Sequence, residues 1–282
     1  MPRHAAPLTH SPVHLSEPED WVFFASHSQP TRLAVFVHGF KGKNLATWGD
    51  FPYSGSSSAW VRETDMLFVG YPSTKEAVSA SEYRIRKWLP KFFPAPPPTA
   101  LSINGIDCRP ILDNPYRELV LIGHSLGGLV LRRALTEIAT ICLQGQGATE
   151  EPLLSGRLRL FSPATAGFRP SGHLGRLLSI PPAELTLYIA LRGSPAFRDL
   201  EQGSPLIVNT QRRTEKLASE HPGFSALRAE IVWANPENII CSEHYDTDPA
   251  PYAVDGKNHV NVCKPQRGYT APLEFVELGR LQ

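Results

Sequence analysis

The stretch that most limits what this chain can fold into runs from Glu118 to Leu135, ELVLIGHSLGGLVLRRAL. A short apolar run, Leu119 to Ile122, leads into Gly123-His124-Ser125-Leu126-Gly127, after which Leu129, Val130, Ala134 and Leu135 fall in helical register. The pattern predicts a strand, a tight turn and a helix, with a serine at the tip. A serine on such a turn is forced into a strained backbone conformation, and glycines two residues to either side let the neighbouring backbones pass closely. The hydroxyl is pushed out above the sheet edge. Because the helix begins at Leu126, its unpaired N–H groups and positive dipole end face any oxyanion formed beside Ser125. A five-residue G-x-S-x-G pattern is common, and it is the strand and helix on either side that give it meaning here.

The rest of the chain supplies a sheet for that strand to join. Short apolar strands are expected at Trp21 to Ala25, Arg32 to Val37, Met66 to Val69, Leu158 to Phe161 and Ile231 to Ala234. Between them, Ser81 to Leu89 has one apolar helix face and is stopped by Pro90, and Ser204-Pro205 opens a helix that runs to about Leu217. Alternation of this kind predicts an α/β fold, with a mostly parallel central sheet and helices on both faces. Residues 1–18 are rich in proline, histidine and serine and offer too little apolar surface to order themselves, so a flexible leader is expected there and one domain over 19–282. The proline-rich stretch Phe93 to Ile111 reads as an extended surface insertion. Residues 163–229 read as a helical insertion, placed where a lid could cover the serine.

Charge and cysteine content narrow the field further. The 28 lysines and arginines nearly balance the 27 aspartates and glutamates, so no basic field argues for nucleic acid, and a small ester-like or lipid-like substrate is the expected partner. No stretch has the length of a membrane span or the apolar core of a signal peptide, which makes a soluble, cytoplasmic protein the expectation. Oligomeric state is left open. Cys108, Cys142, Cys241 and Cys263 are scattered and read as free thiols. Gly42-Lys43 lacks the rest of a phosphate loop, and no histidine or cysteine spacing suggests a metal, so the expected chemistry uses no cofactor and no metal.

A serine hydroxyl needs a base that is neutral near pH 7 yet able to take a proton, which is histidine chemistry. In chains built round such a turn the order is serine, acid, histidine. His259 in Lys257-Asn258-His259-Val260 is the expected base, with His244 as the other histidine after a plausible acid. His124 should point elsewhere on the turn, His38 reads as holding a loop, and His4, His10 and His14 read as solvated. Glu237, in the turn after Ile231 to Ala234, is the expected acid, with Glu243, Asp246, Asp248 and Asp199 as alternatives. The oxyanion donors are expected to be the backbone N–H groups of Leu126 and of Phe40, which follows the glycine-relaxed turn His38-Gly39. The aromatics Trp48, Phe51, Tyr53 and Trp60 either line an acyl pocket or pack a core, and the reading leans to the pocket.

The blocks AVFVHGF at 34–40, LVLIGHSLGGLVLRRAL at 119–135, NHVNVCKP at 258–265 and GYPST at 70–74 resemble the α/β-hydrolase superfamily. Within it they look like the lipase-like branch of GPI-inositol-deacylase-like and serine-active-site-containing proteins. The resemblance implies an eight-stranded or reduced hydrolase sheet with Ser125 as nucleophile and His259 as base. Related proteins mostly carry aspartate after the penultimate strand, where this chain has Glu237. The expected activity is hydrolysis of carboxylic esters through an acyl-enzyme on Ser125. The alternatives are acyl transfer by the same residues and a non-catalytic binding protein that keeps the fold.

Overall fold

The structure, a computed structural model, describes residues 9–53, 58–111, 113–145, 151–168 and 194–281. Its strands are β1 (His10–His14), β2 (Val22–Ser26), β3 (Arg32–Val37), β4 (Thr64–Val69), β5 (Ser102–Ile103), β6 (Ile106–Asp107), β7 (Glu118–His124), β8 (Arg157–Phe161), β9 (Ala229–Asn235) and β10 (Tyr252–Asp255). Its α-helices are α1 (Ala59–Arg62), α2 (Val78–Trp88), α3 (Leu126–Leu143), α4 (Pro205–Glu220) and α5 (Ala271–Leu278). Strands β5 and β6 form a small separate hairpin, and the other eight make one sheet in the order β1-β2-β4-β3-β7-β8-β9-β10. Only β2 runs against the rest.

Both faces of the sheet are covered, and the sequence shows why. Side chains alternate along a strand, so a strand buried on both faces must be apolar at every position. In β7, Leu119 and Leu121 join one core while Val120 and Ile122 join the other; β3 divides Leu33, Val35 and Val37 from Ala34 and Phe36 in the same way. The first core is closed by α2, α3 and α4 through residues such as Ile85, Leu129 and Ile207. The second is closed by α1 and α5 through Trp60, Val61, Phe275 and Val276. Each fully buried side chain of this kind contributes about 1.5–3 kcal/mol. Helix α4 starts as its sequence predicts, with the Ser204 hydroxyl accepting from the Ile207 N–H at 3.3 Å and proline in the first turn.

Several elements depart from the sequence-based expectation. Within the expected leader, residues 10–14 form edge strand β1, whose Val13 side chain is buried and whose His10 Nε2–H donates to the Thr64 carbonyl at 2.8 Å. Pro12 is tolerated because the strand is at an edge. Residues 1–8 and 169–193, the latter inside the expected 163–229 insertion, lie outside the described residues. Strand β10 and helix α5 follow β9 with too few residues to show a period. Trp48, Phe51 and Trp60 pack the second core, where Phe36 stacks on Phe68 with ring centroids 4.6 Å apart and meets Phe51 at a tilt, 4.8 Å away. Tyr53 is exposed and touches Phe24 edge-on. Trp48, Phe51 and Trp60 therefore serve packing and not an acyl pocket. No helix among the described residues is long and apolar enough to cross a membrane.

Val37 pairs with Gly123 and His124 with Phe161, so β3, β7 and β8 finish side by side and release their loops at one rim.

Candidate active site

Ser125 sits between the last residue of β7 and the first of α3 with φ 53° and ψ −122°, a region that costs a non-glycine residue strain. Three backbone hydrogen bonds hold it there. Its N–H donates to the Phe161 carbonyl at 3.1 Å, and its own carbonyl accepts from Gly128 and Ala164, each at 3.0 Å. The start of α3 is pressed against the end of β3. A Cβ on Gly127 would lie 2.1 Å from the Val37 carbonyl oxygen, and one on Gly39 would lie 2.7 Å from the Ser125 Cβ. Larger side chains at either position would drive the serine turn away from the β3 loop.

The structure brings Ser125, His259 and Glu237 into one hydrogen-bonded row. His259 Nε2 lies 2.8 Å from Ser125 Oγ, and its Nδ1 lies 3.0 Å from Glu237 Oε2. A carboxylate can only accept, so Nδ1 carries the proton and Nε2 presents its lone pair to the serine hydroxyl. That is the tautomer able to take a proton from Ser125. The other Glu237 oxygen accepts from the N–H groups of Ile239 and Ile240 at 3.0 and 3.4 Å. Burial by itself would raise the Glu237 carboxyl, but His259, the Ile239 N–H and the Ser162 hydroxyl outweigh it and hold the group below the usual carboxylate range. All three side chains are shielded: Ser125 is 2% exposed, His259 0% and Glu237 6%.

The neighbouring histidines are fixed by different partners. His124 Nε2–H donates to the His259 carbonyl at 2.7 Å, and its Nδ1 has no partner among the described residues. Burial, helped by His259, pushes His124 down to about 3, so the ring is neutral. His38 donates from Nδ1 to the Gly39 carbonyl at 2.8 Å and accepts the Tyr71 N–H at Nε2, 3.3 Å away, with the two rings stacked at 4.3 Å. Burial lowers it to about 4. The Gly39 carbonyl also accepts from the Gly42 N–H at 3.0 Å, which fixes the peptide whose other end is the Phe40 N–H. The Phe40 N–H and the Leu126 N–H, the latter in the first turn of α3, donate to no acceptor among the described residues. They belong to two segments that Gly39 and Ser125 hold in contact.

The alternative acids and bases are engaged elsewhere. Asp199 accepts the Val78 N–H at the start of α2 at 3.2 Å. Asp248 pairs with Arg132 and accepts the Ala229 and Tyr245 N–H groups at 2.8 and 3.1 Å, while the Arg132 guanidinium lies 4.0 Å from the Tyr245 ring. The polar run Ser242 to Asp248 thus includes a buried anchor between α3 and β9. Glu243, His244 and Asp246 are exposed, as is His14; His4 lies outside the described residues. Two supports of the site were missed by sequence reasoning. Tyr71 braces His38, with its hydroxyl donating to the His38 carbonyl at 2.6 Å, and Ser162, at φ 39°, accepts the Ala234 N–H at 3.0 Å. The available signals were the Gly70-Tyr71-Pro72 end of β4 and the Ser162-Pro163 end of β8.

No protein-family model matches the chain, and no curated protein matches it. Among solved structures, it is similar to a peroxisomal alpha-beta-hydrolase from Saccharomyces cerevisiae at 16% identity and TM-score 0.48, covering 100% of this chain and 88% of that one. It is also similar to the protein Est1E from Butyrivibrio proteoclasticus (14% identity, TM-score 0.45, 96% and 95% covered). A third similar structure is a monoacylglycerol lipase from Paleococcus ferrophilus (15% identity, TM-score 0.44, 96% and 98% covered). The sheet order, the single reversed strand near one edge and the strained serine between β7 and α3 make this an α/β-hydrolase fold.

Proposed function

We propose that the protein is a serine hydrolase that cleaves carboxylic esters of small or lipid-like alcohols through an acyl-enzyme on Ser125. The observation that carries this reading is the row of Ser125 Oγ, His259 and Glu237 at 2.8 and 3.0 Å, with the imidazole in the tautomer that accepts a proton. Ser125 Oγ attacks the ester carbonyl carbon as its proton passes to His259 Nε2. The carbonyl electron pair moves to oxygen, where the N–H groups of Phe40 and Leu126 receive it. Glu237, ionised and hydrogen-bonded to Nδ1–H, stabilises the imidazolium that forms. The bond to the alcohol then breaks, the alcohol leaves with the proton from Nε2, and the acyl group stays on Oγ. Water attacks this acyl ester, gives its proton to Nε2, and Ser125 takes that proton back as the carboxylic acid departs.

A fluorophosphonate probe tests the assignment directly, because it reacts only with an activated serine. The wild-type protein should be labelled at Ser125 and should hydrolyse a short-chain aryl ester. The Ser125→Ala variant should do neither, and persistent labelling of that variant would sink the reading.

A further inference from the structure

A hollow of about 440 Å³ opens beside the serine turn, between the loop after β3 and the loop that carries His259. Gly39, Phe40, His124 and Val260 form its inner wall, and Lys41, Lys43 and Lys264 stand round it. The inner wall joins the reacting groups: Phe40 carries a proposed oxyanion donor, His124 precedes Ser125, and Val260 follows His259. Ser125 and His259 do not themselves line the hollow, but their chain neighbours do, and an ester on Ser125 would direct one of its two substituents toward it.

The three lysines are unusual for a chain whose charges nearly cancel. None forms an ion pair among the described residues, where lysine pairing is seen between Lys216 and Glu220. Asp20 lines the adjoining hollow with Lys43 and does not line this one. The backbones that carry the lysines are pinned. Lys41 has φ 57° and its N–H donates to Ser73 Oγ at 3.1 Å; the Lys43 N–H donates to Thr47 Oγ1 at 3.0 Å; the Lys264 N–H donates to the Asn261 carbonyl at 3.1 Å. Three lysines carried on held backbone round one hollow give it a positive field with no carboxylate among the described residues of its lining, and an anion bound there would be favoured.

We propose that this hollow receives the anionic end of the substrate, so that the protein prefers esters carrying a carboxylate or phosphate over neutral ones of the same shape. The proposal rests on the serine hydrolase reading given above. Lys41, Lys43 and Lys264 hold the charge. The charge can ride on the acyl or the alcohol side of the ester.

Two matched pairs of esters test the preference and separate those sides. One pair is para-nitrophenyl hydrogen glutarate against para-nitrophenyl pentanoate, with the charge on the acyl side. The other is para-carboxyphenyl butyrate against para-carbamoylphenyl butyrate, with the charge on the alcohol side. At low salt the anionic member of one pair should be favoured by roughly tenfold in kcat/KM, the sum of several partly exposed charge contacts. The ratio should fall toward unity in about 0.5 M salt, and also in the Lys41→Gln/Lys43→Gln/Lys264→Gln variant. Salt dependence of the wild type decides the matter if that variant does not fold. Neutral esters favoured or matched in both pairs, with Ser125 still labelled by fluorophosphonate, would overturn this proposal alone. A preference that survives both salt and substitution would overturn it as well. An unlabelled wild-type Ser125 would overturn the hydrolase reading and this one with it.

Discussion

Two buried carboxylates at opposite ends of the sheet are held in opposite ways. Asp65, at the start of β4, pairs with Arg109, accepts the Tyr116 hydroxyl and accepts the Ser26 N–H at 2.8 Å. Glu237, beyond the end of β9, faces His259 and the backbone N–H groups of Ile239 and Ile240. At Asp65 burial outweighs these partners and raises the carboxyl to about 6. At Glu237 the partners outweigh burial and lower it. A carboxylate kept ionised stands where positive charge can appear on an imidazole. One that resists ionisation ties β2, β4 and the 109–116 segment together, and no proton needs to move there.

The contrast predicts that damage at one end removes chemistry and damage at the other removes stability. Ser125→Ala should lower kcat for an aryl ester by about a million-fold, with an unchanged melting temperature. Glu237→Gln should lower it by about ten-thousand-fold, because the imidazole loses its orienting anion; steady-state kinetics on purified variants read both. Asp65→Ala should cost about 3–5 kcal/mol in urea unfolding by stranding the Arg109 charge, while the folded fraction keeps its fluorophosphonate labelling. A variant of Asp65 that stays stable yet loses labelling would erase the distinction between the two ends.

The smallest effect concerns pH. A carboxyl raised from 3.8 to about 6 binds more protons folded than unfolded between those values, so its contribution to stability is greatest at the acid end and declines as pH rises through about 6. Glu237 has the opposite sign, because its contribution is present above the ordinary carboxylate range and is lost as pH falls below it. From about pH 4 to about pH 7 the wild type should lose on the order of 1–3 kcal/mol relative to Asp65→Asn. Urea midpoints of both proteins across that range check this, and a difference independent of pH would count against it.

What could be read from the sequence follows how locally each feature is encoded. The turn at Ser125 is legible because its glycines, apolar strand and helix start lie within eighteen residues, and β3 spans the residues that its apolar run marks. Glu237 and His259 could be nominated from chain order, which says nothing of distance; their meeting at 3.0 Å depends on where β9 and β10 leave the sheet. Asp65 with Arg109 and Arg132 with Asp248 join residues 44 and 116 apart in sequence, and no periodicity links them. The aromatics after β3 were misplaced because a pocket and a core call for the same residue types. Only the packing of Phe36 against Phe51 and Phe68 separates the two.

The hydrogen bond from His124 to the His259 carbonyl also has a consequence in time. Ser125 and His259 stand 134 residues apart, and the residue before the serine grips the residue that would activate it. The strained turn itself draws on Phe161 and Ala164, and the hydroxyl and the imidazole meet only after β8, β9 and β10 have taken their places beyond β7. A chain interrupted at any point before His259 carries the serine without its base. The contact between Ser125 and His259 is therefore assembled only with the completed sheet.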